Sequence, residues 1–61
     1  MAIAADVQAI QSAYEDQLKA MFQVLFQNSL SEPLDEAAAR FSKGLAMLRA
    51  ARDRAEQIVS T

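Results

Sequence analysis

The stretch "NSLSEPLDE", Asn28 to Glu36, decides the fold, because it holds the chain's one proline and separates two long segments of helical pattern. Proline has no backbone N–H and cannot continue a preceding helix, but it suits the first turn of a new one. We therefore predict a turn at about residues 29–32 and a second helix that begins at about Pro33.

The residues around this proline carry capping chemistry. Ser29 or Ser31 can offer a hydroxyl to the free N–H groups at the start of the second helix. Asp35 and Glu36 place negative charge near the positive end of its dipole. The sequence therefore predicts a serine N-cap and an acidic first turn.

Apolar residues recur every three or four positions on both sides of the break, the spacing of one face of a helix. Two amphipathic helices are predicted, at about residues 3–28 and 33–59. The first stripe is Ile3, Val7, Ile10, Tyr14, Leu18, Met21 and Leu25; the second is Leu34, Ala37 or Ala38, Phe41, Leu45, Leu48, Ala51, Ala55 and Ile58 or Val59.

A connection this short returns the second helix alongside the first. The expected fold class is all-α, an antiparallel two-helix hairpin that forms one domain over residues 1–61 and dimerises into a four-helix bundle. Ala37, Gly44 and Ala51 recur every seventh residue, which predicts a close helix contact; chance in an alanine-rich sequence explains the spacing equally well.

The length and composition indicate that the hairpin needs a partner. A chain of 61 residues is below the size at which one hydrophobic core comfortably stabilises a fold. It contains no cysteine and no histidine, so disulfides and the usual zinc ligands are absent. Oligomerisation or a protein partner remains, and we expect no cofactor.

The segment "KAMFQVLFQ", Lys19 to Gln27, crowds more large apolar side chains together than one neighbouring helix can cover. We expect a homodimer whose core near the turn contains the phenylalanines, with a larger protein partner as the alternative. Membrane contact is disfavoured, because Lys19 is the lone cation of the first helix. The predicted interface residues are Tyr14, Leu18, Met21, Phe22, Val24, Leu25, Phe26, Leu30, Phe41, Leu45 and Leu48.

The sequence offers little for catalysis. Without histidine or cysteine, the candidates are carboxylates, serines and Tyr14, and the carboxylates project away from the apolar stripes. Carboxylate-bridged metal bundles also need histidine. We expect no enzymatic activity, no catalytic residue and no metal site.

Five of the six basic residues lie in the second helix, although the net charge is −2. Arg40, Lys43 and Arg54 share its outer face, which suggests the alternative function of a small dimeric regulator that binds RNA or DNA. Acidic residues at helical spacing, such as Glu36 before Arg40, should neutralise much of this charge. Since no aromatic residue stands among the arginines to stack on a base, nucleic acid is the weaker expectation.

The start "MAIAADVQAI" has no basic residue before its apolar positions, so we expect no secretory signal peptide. No stretch approaches the roughly 18 consecutive apolar residues of a membrane span. The sequence as a whole predicts a cytoplasmic, non-enzymatic interaction or assembly module, of the adaptor or co-chaperone type, that acts as an oligomer through an apolar helical face.

Overall fold

The computed structural model describes residues 3–61, and these residues form a helical hairpin. Helix α1 is Ala4–Ser29 and helix α2 is Leu34–Val59, each of 26 residues. The helices pack against each other, and the described part of the chain contains no strand. The Cα atoms extend over 46 × 15 × 8 Å. The predicted all-α hairpin is thus confirmed; the first two residues of the predicted domain lie outside the described residues.

Two contacts show that the helices are antiparallel. The Arg52 guanidinium lies over the Tyr14 ring, and Gly44 lies beside the end of the Met21 side chain. Residue numbers therefore rise along α1 as they fall along the facing α2. We call the end where the chain reverses the turn end, and the end near Ile3 and Thr61 the open end.

The serine caps predicted for α2 are wrong. The Ser29 hydroxyl donates to the Phe26 carbonyl oxygen at 2.7 Å, and the Ser31 hydroxyl donates to the Asn28 carbonyl oxygen at 3.4 Å. Both hydroxyls therefore bond to carbonyl oxygens at the end of α1, and the Asn28 carbonyl oxygen also accepts from the backbone N–H groups of Ser31 and Glu32. Pro33 itself occupies the N-cap position of α2, and its carbonyl oxygen accepts from the backbone N–H groups of Glu36 and Ala37.

The seam between the helices is built from the predicted stripes, with exceptions in α2. The α1 residues from Val7 to Leu25 in the stripe are half-buried, whereas Ile3 stays 60% exposed. In α2, Ala37 is buried at 2% exposure, the one fully buried residue of the described chain. The half-buried residues that follow it along the seam are Phe41, Gly44, Leu45, Leu48, Arg52, Ala55 and Val59.

Two residues expected on the second stripe lie outside the seam: Leu34 is 61% exposed, and Ala51 is also exposed. Of the pair predicted at the end of the stripe, Val59 is half-buried and Ile58 is 60% exposed. Arg52 takes the place expected of Ala51, because its long aliphatic stem can cover the seam while its charged end reaches the edge.

Of the three small residues spaced seven apart, two lie in the seam between the helices. Ala37 is buried and Gly44 is half-buried, whereas Ala51 is exposed. A methyl group added at Gly44 would lie 2.9 Å from the terminal methyl carbon of Met21. The close approach at Gly44 is therefore made by the flexible end of a side chain, not by backbone.

We predict that Gly44→Ala stabilises the hairpin by up to about 1 kcal/mol, because alanine is the better helix former and the Met21 methyl can rotate away. Urea unfolding followed by circular dichroism measures this. In a Met21→Leu background, where the terminal methyl is absent, the gain should be at least as large. A clear loss of stability in both backgrounds would show that a Cβ at position 44 meets a rigid neighbour.

Candidate functional site

The predicted interface residues divide into two groups by exposure. Seven of them are half-buried in the seam between α1 and α2: Tyr14, Leu18, Met21, Leu25, Phe41, Leu45 and Leu48. The other four point away from the seam into solvent: Phe22 at 59%, Val24 at 55%, Phe26 at 57% and Leu30 at 73% exposure. The second group is the surface available to a partner.

A groove of about 660 Å³ runs along one side of the seam. Its apolar lining is Leu18, Phe22 and Phe41, and its polar lining is Glu15, Lys19 and Gln23. We call this side of the hairpin the Phe22 side. Phe26 belongs to it as well, because a step of four residues returns to nearly the same face of a helix.

A second groove, of about 320 Å³, lies on the opposite side of the seam. Val24, Met21, Leu25 and Phe41 contribute its larger apolar surfaces, and Arg40 lies at its rim. We call this side the Val24 side. Phe41 lines both grooves, so its side chain borders both sides of the seam.

Two further exposed apolar side chains lie on the Val24 side and were not among the predicted interface residues. Met47 is 67% exposed and Ile58 is 60% exposed. They stand seven and eighteen residues after Arg40, which are two and five full helical turns, so they share its face. Helical projection from Arg40 could have found them, but a sequence does not tell which side of α2 borders which side of α1.

Tyr14 has a partner that periodicity did not predict. The Arg52 guanidinium carbon lies 4.5 Å from the centre of the Tyr14 ring, within the range of a cation–π contact. Arg52 also donates from Nε and Nη2 to Oδ1 of Asp53, each at 3.1 Å. The hydrogen bond to Asp53 raises the pKa of Arg52 above its already high ordinary value, so the guanidinium stays charged over the ring.

We predict that Arg52→Gln lowers the free energy of unfolding measurably, because the cation–π contact with the Tyr14 ring is lost. Lys43→Gln is the matched control: Lys43 is exposed and forms no ion pair within residues 3–61, so its loss should change stability by less than about 0.5 kcal/mol. In a Tyr14→Leu background, urea unfolding should show a smaller cost for Arg52→Gln. If Arg52→Gln costs as much stability in the Tyr14→Leu background as in the parent chain, the tyrosine ring does not contribute to the effect of Arg52.

The three residues suggested for nucleic-acid contact are all exposed, but they differ in their surroundings. Arg40 forms an ion pair with Glu32, which precedes α2, instead of the predicted pair with Glu36. Arg54 donates to the Gln57 side-chain oxygen at 3.3 Å. One of the three cations is thus already engaged by a carboxylate of the hairpin.

The described residues show no clustered donor set for a metal and no membrane-crossing helix. Within residues 3–61, no three acidic side chains come together where they could hold a metal ion. Neither α1 nor α2 has an apolar segment long enough to cross a bilayer.

The chain matches no protein-family model, no curated protein and no solved structure.

Proposed function

We propose that this protein is a non-enzymatic assembly module that acts as an oligomer, in its simplest form a homodimer in which two hairpins form a four-helix bundle. The observation that carries the proposal is the large surface left exposed by two well-formed helices. A folded monomer of 6.7 kDa is expected to expose about 3,900 Å². The hairpin exposes 4672 Å².

The difference, about 800 Å², is close to the area that each partner contributes to a protein–protein interface of standard size. One interface of that size would bring the buried fraction of the chain to the level usual for domains of its length. This excess of exposed area supports one additional contact surface for each hairpin.

The exposed side chains suit such a contact. Phe22 and Phe26 stand four residues apart on one helix, each more than half exposed, beside a groove of about 660 Å³. Aromatic side chains next to a concave apolar surface are the usual anchors of protein interfaces. A second hairpin can supply both the ring and the groove, so that one surface serves as its own complement.

The module would work as an adaptor or co-chaperone, since its chemistry is that of recognition and not of group transfer. A larger protein that covers the Phe22 side is the alternative partner. We place the module in the cytoplasm, which is compatible with a sequence that contains no cysteine.

The double variant Phe22→Asp with Phe26→Asp tests the proposal. Two charges placed in the apolar contact should raise the dissociation constant of the dimer at least about a hundredfold and lower the helicity of the separated chains. Sedimentation equilibrium and circular dichroism report the two effects on the same samples.

The matched control is Ser12→Asp with Gln27→Asp. It adds the same charge to α1 at two exposed positions that line neither groove, and it should leave the mass unchanged. If the phenylalanine variant keeps the mass and melting temperature of the parent chain, the Phe22 side is not an interface.

A further inference from the structure

The exposed apolar side chains of the Phe22 side are concentrated at one end of α1. Phe22 and Phe26 lie in the half of the helix next to the turn. Toward the open end, the residues on the same face are Glu15, Gln11 and Gln8, which precede Phe22 by seven, eleven and fourteen residues. All three are exposed. The two phenylalanines of this side of α1 therefore lie at the turn end, where Lys19 and Gln23 also line the groove, and polar side chains follow toward the open end.

On helix α2, the charged side chains of this side lie toward the open end. Arg40 lines the groove on the Val24 side, so residues about half a revolution away from it face the Phe22 side. Ala38, Ser42 and Leu45 fall there in the half nearer the turn, and Arg49 and Glu56 fall there toward the open end. On this side, the phenylalanines of α1 lie near the turn, where Lys19 and Gln23 also line the groove, and the charged residues Arg49 and Glu56 of α2 lie toward the open end.

We propose that the second copy packs on the Phe22 side with both turns at the same end, so that the two-fold axis runs parallel to the helices. This inference rests on the proposed self-association and adds an orientation to it. With the turns together, the half of each hairpin that carries the phenylalanines meets the same half of the other. With the turns at opposite ends, Phe22 and Phe26 would meet glutamine and charged side chains, whose burial without hydrogen bonds is unfavourable.

The charges at the edge of this surface fit the same arrangement. A two-fold axis parallel to the helices places α1 beside α2 of the second copy. The contacts of Tyr14 with Arg52 and of Met21 with Gly44 put Glu15 at the level of Ala50, next to Arg49.

Glu15 and Arg49 are both free to pair across the interface. Within residues 3–61 neither forms an ion pair, and Glu15 accepts a single hydrogen bond, from the Gln11 amide at 3.4 Å. Glu15 of each copy would face Arg49 of the other, which gives two complementary pairs for each dimer.

Distance measurement between spin labels tests the orientation directly. The chain has no cysteine, so Ser31→Cys introduces a single labelling site at the turn. If the turns lie together, pulsed electron–electron double resonance should give a distance between the two labels below about 30 Å, the width of a four-helix bundle with its labels. Turns at opposite ends would give a distance near or beyond the 46 Å length of the hairpin, and this would overturn the proposal.

Ala50→Cys is the control for assembly, because this exposed residue lies near the middle of the hairpin and gives a similar distance in both orientations. Sedimentation of both labelled samples separates the two hypotheses. A dimer with distant turns contradicts the orientation and leaves the proposed function standing. A monomer without any label–label distance contradicts both.

A charge exchange gives a second, independent test. Glu15→Arg should weaken the dimer on the order of tenfold, because two attractive pairs become repulsive. Adding Arg49→Glu to the same chain should restore the parent dissociation constant, since each pair is then reversed but complementary. A double variant that dissociates as readily as Glu15→Arg alone would contradict the pairing and the orientation that predicts it.

Discussion

Two helices that share a single seam can each bury one stripe of their surface, and this limit governs the whole molecule. The seam here holds half-buried side chains almost throughout, with Ala37 as its one fully buried residue among those described. The phenylalanines that follow Met21 in the same dense segment then fall outside the seam, because adjacent residues on a helix lie about 100° apart. The proposed second copy of the chain would cover this surface.

The contacts within the seam position the two sides of the hairpin. Gly44 lets the Met21 side chain lie across α2, and Arg52 lies over the Tyr14 ring in the half of the hairpin nearer the open end. Together they fix which residues of the two helices lie at the same level. The Phe22 side and the Val24 side are consequences of that register, and Phe41 borders the grooves on both sides.

Periodicity and a single proline were enough to predict the hairpin, because apolar spacing and helix breaking act locally. The apolar stripe of α1 could also be predicted from the spacing of its residues. The errors came from features that depend on the neighbouring element. Ser29 and Ser31 cap the carbonyls behind them instead of the N–H groups ahead. Arg52 enters the seam because a tyrosine ring faces it.

Exposure of Phe22, Val24 and Phe26 followed from the density of the segment Lys19 to Gln27, but their division between two opposite sides required the packed structure. The central claim is that copies of this chain cover that surface, and sedimentation equilibrium of the unmodified protein from low to high micromolar concentration, with helicity followed on the same samples, tests it most directly. The account predicts a helical species of about twice the 6.7 kDa chain mass, with helicity lost as dilution dissociates it. A fully helical monomer across the whole range would contradict it.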